Sequence, residues 1–245
     1  MISLKSADLL IRIVSFLFAY LSVSTIPTAI RSRIAAYFGD DTSQQFGLSS
    51  FNPLYHIDFV GFSILLMSSL WGIPLGWGQA PFNNPFNISG RYATLKKTLI
   101  YFSDVIVHFV LALISIIFLE IIFGLKILTL VPYMILNRDM SHLLLAKTFV
   151  DVHSLLISIG FILIATMYLH IILGVIYAIL NARDLYLVLS SGDEDILSYE
   201  LSRTQFSNFF ISLLLLFIFG EPLRFFIVSM ITNTGLLLGI CLGIH

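Results

Sequence analysis

The chain has 245 residues, 58% hydrophobic and 11% charged, with a formal net charge of −1 and a mean hydropathy of +0.97, whereas ordinary soluble domains are about 25% charged. So apolar a composition reads as an integral membrane protein, and the scatter of both charge signs excludes a basic face for nucleic acid or an acidic tail. The single cysteine, Cys241, excludes an intrachain disulfide and a cysteine-based metal cluster.

A helix that crosses the hydrocarbon core needs about 20 mainly apolar residues. The first stretch of that kind runs from Ala7 to Ile30. It is too long for a signal-peptide core and lacks a small-residue cleavage site, so it is expected to stay as a membrane helix. Phe59 to Leu75, Leu99 to Phe123, Leu155 to Leu180 and Phe209 to Thr232 follow. The run "LKILTLVPYMIL" is broken by Pro132 and reads as an interfacial or re-entrant piece, and "GLLLGICLGIH" is too short to span alone. The expected fold class is an all-α polytopic helical bundle of about five to six transmembrane helices. No repeat or low-complexity linker divides it, so residues 1–245 form one domain. If every stretch crosses, one side of the membrane holds Lys5, Arg91, Lys96, Lys97, Arg183 and Arg203, and the other holds Arg31, Arg33, Lys126, Arg138 and Lys147. The positive-inside rule then leans toward a cytoplasmic N-terminus.

Around the second stretch lie "NPLYHIDFVG", Asn52 to Gly61, and "GWGQAPFNNPFN", Gly76 to Asn87. Asn52, Pro53, His56, Ile57, Asp58 and Gly61, then Gly76, Trp77, Asn84 and Pro85, follow the pattern N-P-x-x-H-I-D-P-x-G and G-W-x-x-P-x-P-x-N-P. The region resembles the signature of the site-2 protease family of intramembrane zinc metalloproteases. "AAYFGD", Ala35 to Asp40, resembles the A-x-x-L-G-D that ends that family's catalytic helix. "YELSRTQFSNFFISLLLLFIFGEPL" resembles its closing Y-E-x-x-x-x-x-F helix and acidic-Pro turn, so the resemblance covers most of the chain.

The resemblance implies an H-E-x-x-H turn, whose two histidines share one helical face and hold zinc. The intervening Glu serves as general base, and a distant Asp is the third ligand. Counting back from Ala35 to Asp40 puts those five positions on Pro27, Thr28, Ala29, Ile30 and Arg31. Pro27 has no ligand atom, Thr28 cannot act as a carboxylate base, and the Arg31 guanidinium repels a dication. The first histidine in the chain is His56. The family's N-x-x-P-x-P-x-L-D-G corresponds to "AILNARDLYLVLS", where Asp184 stands at the ligand Asp but the prolines are absent and Leu185 replaces Gly. Its G-P-x-x-N corresponds to "FSDVIVH". Asp184 is therefore a candidate former metal ligand, expected close to Pro27–Arg31, with Arg31 as its ion-pair partner in place of a metal.

His56 and Asp58 have two readings, a substrate-gripping site at the membrane surface or caps that hold the loop. The second is favoured because buried polar groups in a membrane must be satisfied internally. Gly61 and Gly76 are assigned to close packing or turn geometry. Trp77 is either an interfacial anchor or a substrate contact. Asn84 and Asn87 either cap the loop or pair with an extended peptide backbone. Asp104, His108, Glu120, His153, His170 and Glu221 lie within apolar stretches and are expected to face the bundle interior. His108 and His170 could serve as axial haem ligands. A second metal site from His56, His108, His170 and Asp184 is open by residue type, though without i, i+4 spacing. "GDEDILSYE" reads as a solvated loop.

The leading expectation is a catalytically inactive site-2-protease-like protein, a pseudoprotease without a cofactor. It would sit among lipids of a bacterial inner membrane and bind a membrane partner or transmembrane segment, not nucleic acid. The alternative is an active intramembrane zinc metallopeptidase with an atypical ligand set.

Overall fold

The computed structural model describes residues 4–70, 75–124 and 154–190, with single positions at 229 and 233. The expected span from Phe209 to Thr232, Ser229 apart, lies outside them. So do the runs around Pro132 and Cys241, the closing helix and its acidic turn, "GDEDILSYE", His153 and Glu221.

Runs of Leu, Ile and Phe with few breakers favour helix wherever the backbone must bond to itself in lipid. The described elements are α1 (Leu4–Tyr37), a short α2 (Thr42–Gln45), a 3-10 turn at Pro53–Tyr55, α3 (Phe59–Leu70), a second 3-10 turn at Pro85–Asn87, α4 (Ala93–Phe123) and α5 (Ser154–Ser190). No strand occurs among the described residues. Three helical segments, Ile13–Tyr37, Ala93–Phe123 and Ser158–Ser190, are long and apolar enough to cross a membrane. Among the described residues the protein is an all-helical, membrane-embedded bundle.

α1 stops where Gly39 enters the left-handed region at φ 108°. There the Gly39 N–H reaches the Ala36 carbonyl (3.1 Å) and the Asp40 N–H reaches the Ala35 carbonyl (2.9 Å), a Schellman closure that glycine permits. α1 and α5 run in one direction and α4 in the other, because Arg31, Asp104 and Asn181 meet at one level and Ser22, His170 and His108 at the next. Phe16, Tyr20 and Val23 of α1, Leu65 of α3, Ile116 and Leu119 of α4 and Ile164 and Met167 of α5 share one apolar core.

One expected span is not a span. Phe59 to Leu75 reads as a crossing helix, but α3 ends at Leu70 after 12 residues, about 18 Å at 1.5 Å per residue, against a hydrocarbon core of about 30 Å. From Leu75 the chain returns alongside α3 as an extended arm. The Leu75 N–H donates to the Ser68 hydroxyl at 3.0 Å, and the Gln79 N–H donates to the His56 carbonyl at 2.9 Å. The excursion through α3 and the arm therefore begins and ends at one end of the bundle. Arg31 and Arg33 consequently lie toward the same end as Arg91, Lys96, Lys97 and Arg183, which corrects the expected division of charge. Counting α3 as a crossing had separated them.

Candidate functional site

A cavity of about 650 Å³ lies between α1, α5 and the returning arm. Pro27, Thr28 and Arg31 form its α1 wall, and Tyr101 and Asp104 enter from α4. Asn181 and Asp184 of α5 continue the polar end, while Leu169, Ile172, Leu173 and Ile176 make an apolar floor. Pro27 stands inside α1 and lacks the N–H that would bond the carbonyl one turn earlier.

Arg31 occupies the centre of the polar end. Its Nη1 donates to Asp104 Oδ2 at 2.9 Å and to Asn181 Oδ1 at 3.1 Å, and its Nε donates to Asn83 Oδ1 at 3.1 Å. Asn181 closes the network by donating from Nδ2 to Asp104 Oδ1 at 2.9 Å. The Tyr101 ring lies 4.8 Å below the guanidinium. Arg31 and Asp104 are both buried, so each needs the other to compensate its desolvation. The expected pairing of Arg31 with Asp184 is thus corrected: both line the cavity, but Asp184 accepts from the neighbouring Arg183 at 3.0 Å. Asp104 holds the guanidinium because it projects from the N-terminal half of α4 at the depth of Arg31.

The loop residues surround this cluster. Asn52 accepts from the Leu54 N–H at 3.1 Å and starts the turn at Pro53. Asn84 does the same for the Phe86 N–H at 3.0 Å before the buried Pro85. His56 is buried, with Nε2 donating to the Ser50 carbonyl at 2.7 Å. Burial pushes its ring below the ordinary histidine value, against the opposing effect of the Ser50 bond. Asp58 Oδ1 accepts the Gly61 N–H at 2.6 Å at the start of α3, and the Tyr20 hydroxyl bridges the Asp58 backbone N–H and carbonyl, each at 3.2 Å.

Glycine is required where the arm touches α3 and α1. A Cβ on Gly61 would stand 2.1 Å from the Trp77 carbonyl oxygen, and one on Gly76 would stand 2.8 Å from the Gly61 carbonyl oxygen. One on Gly78 would stand 2.4 Å from the Ser24 Cβ. Trp77 lines the cavity and packs on the main core, which sets it inside the bundle and not at an exposed interfacial position.

Zinc does not fit the residues at the family position. Pro27 offers no donor, Thr28 donates to the Gln79 carbonyl at 3.4 Å, and Arg31 is a cation in an ion pair. Among the described residues no three His, Cys, Asp or Glu side chains converge on a point that could hold a metal, so His56, His108, His170 and Asp184 do not form a second site. His108 and His170 do meet, but their Nδ1 atoms are 2.9 Å apart. An iron between them would need roughly 4 Å, twice a metal–imidazole bond of about 2.0 Å. The His170 Nε2 lies 3.3 Å from the Ser22 hydroxyl, while His108 Nε2 and both Glu120 oxygens are buried without a partner among the described residues.

Asp40 was quoted in the sequence only as the end of a motif. Its Oδ1 accepts from the Thr42 hydroxyl (2.6 Å) and Asn87 Nδ2 (3.1 Å), and its Oδ2 from the Asn84 N–H (2.8 Å) and Asn83 Nδ2 (3.4 Å). A carboxylate directly after a glycine helix stop, facing an Asn-rich loop, was the signal available. Asn181 and Asn83 were likewise missed, since a lone amide in a long apolar helix or loop carries no spacing rule. Compared with family models, curated proteins and solved structures, the chain matches none.

Proposed function

We propose that the chain is a site-2-protease-like pseudoprotease of about five to six transmembrane helices in a bacterial inner membrane, which holds a transmembrane segment of a partner protein without cutting it. The observation that carries this reading is the 2.9 Å ion pair between Arg31, where the second zinc histidine would fall, and Asp104. Hydrolysis of a peptide bond in a membrane needs a metal-activated water and a base. A guanidinium already paired to a carboxylate supplies neither.

The cavity suits a polypeptide. Gln79 places a side-chain amide on its wall, and such an amide can both donate to and accept from a backbone. The apolar floor accommodates aliphatic side chains. The alternative, an active zinc metallopeptidase, has three cavity carboxylates to draw on, each already engaged: Asp58 at the start of α3, Asp104 with Arg31 and Asp184 with Arg183.

The test is site-specific photocrosslinking in native membranes, with the reactive residue at Ile172 on the cavity floor and, as control, at the lipid-facing Ile121. The expected result is one transmembrane protein captured from position 172 and not from 121. Capture of lipid alone from both positions contradicts the reading.

A further inference from the structure

We propose that the loop end of the bundle binds anionic lipid headgroups, with the outer side of α3 lying among the acyl chains of the same leaflet. The observations are independent of any protease resemblance.

The return of the arm beside α3 gathers the loops 38–58 and 80–92 at one end. Around that end stand Arg33, Arg91, Lys96 and Lys97, of which Arg33 and Arg91 are exposed. Of the described acids there, Asp41 alone is exposed. Asp40 is buried among hydrogen-bond donors, Asp58 starts α3, Asp184 pairs with Arg183, and Asp104 with Arg31. Asp41 is exposed and accepts from Gln45. At the other end, the described residues carry two cations, Lys5 and Arg12, and two acids, Asp8 and Glu120.

Aromatic rings mark the depth of the interface. Tyr37, Phe46, Phe51, Tyr55, Phe59 and Tyr92 are exposed around the same end, as an interfacial belt requires. Several carry a cation on the ring face: the Arg33 guanidinium lies 4.2 Å from the Phe51 centroid and that of Arg91 lies 4.8 Å from Tyr92. Lys97 lies 5.8 Å from Phe86. Rings at the headgroup level with cations above them form a surface complementary to phosphate-bearing anionic lipid. Below the belt, Leu66, Met67 and Leu70 of α3 are exposed. A helix of 12 residues tied back at its base reaches into one leaflet, so acyl chains of that leaflet are the occupant its outer face fits.

The test uses the full, unaltered protein, equilibrated in mixed micelles with equal phosphatidylglycerol and phosphatidylcholine, with the retained lipid quantified by mass spectrometry. Phosphatidylglycerol is expected to be enriched roughly fivefold. Arg33→Gln, Arg91→Gln, Lys96→Gln and Lys97→Gln together should bring the ratio toward one, while lysine at positions 33 and 91 should keep it. Equal retention of the two lipids by the unaltered protein overturns headgroup binding, whether or not the fourfold variant folds.

Discussion

The loop layer and the cavity behind it are both polar, yet they satisfy their polar groups by different means. In the loops, side chains serve the backbone: Asn52, Asn84, Asp58 and Asp40 each accept a main-chain N–H. In the cavity, side chains serve one another, with Arg31, Asp104 and Asn181 closing a ring of contacts from three helices. The difference teaches which residues can be exchanged. A cavity pair can be replaced as a unit by apolar residues of similar volume, whereas a loop side chain removed alone takes away the acceptor of a main-chain N–H.

The largest effect is expected in the cavity. Asp104→Ala leaves the Arg31 charge buried and unpaired, at a cost of about 3–5 kcal/mol, read as a lower unfolding midpoint in detergent. Arg31→Met with Asp104→Leu should recover most of that loss. If the double variant is as unstable as the single one, the cavity polar groups are not a self-contained set and the contrast with the loops fails.

Next comes the contact between arm and helix. Gly61→Ala puts a methyl group against the Trp77 backbone, and overpacking of that kind costs about 1–3 kcal/mol. Gly90, where an added Cβ meets nothing within 4 Å although φ is +82°, is the control for backbone conformation without steric contact. A milder response at Gly61 than at Gly90 would show that α3 and the arm are not clamped.

A smaller change follows at the hub of the loop layer. Asp40→Asn keeps the shape but exchanges charge-assisted bonds for neutral ones, with an expected loss of about 1 kcal/mol in the same unfolding assay. No change in stability would mean that the loops do not depend on this carboxylate.

The smallest effect is a pH dependence. The His56 value is lowered in the folded protein by burial, so below the free-histidine value of about 6.5 the unfolded chain binds more protons than the folded one. Stability from this group is fully present above that pH and declines as pH falls toward the folded value. Comparing unfolding midpoints of the unaltered protein and His56→Gln from neutral to mildly acidic pH isolates the term. The difference between them should narrow as pH falls, and a constant difference would contradict it.

Much of the bundle was legible in the sequence because lipid demands long apolar runs, and the expected stretches Leu99 to Phe123 and Leu155 to Leu180 fall within α4 and α5. The segment after Phe59 was not legible: hydropathy records how apolar a run is, not whether its backbone stays helical, and the signal for the return was the glycine spacing at 61, 76 and 78. At the site, Arg31 and Asp184 were picked out by their alignment with a motif, and both line one cavity. The partner of Arg31 was not, because Asp104 was read as one of several costly ionisable residues without a depth assigned to each. Matching depths along α1 and α4 would have paired them.

The most direct measurement is metal content of the purified full chain after equilibration with zinc, by mass spectrometry, alongside cleavage of a transmembrane substrate. The expected result is no stoichiometric zinc and no cleavage, because the guanidinium of Arg31 and its bond to Asp104 stand where a cation would need to be. One zinc per chain, with proteolysis abolished by a chelator, would contradict the pseudoprotease reading and establish the zinc-peptidase alternative.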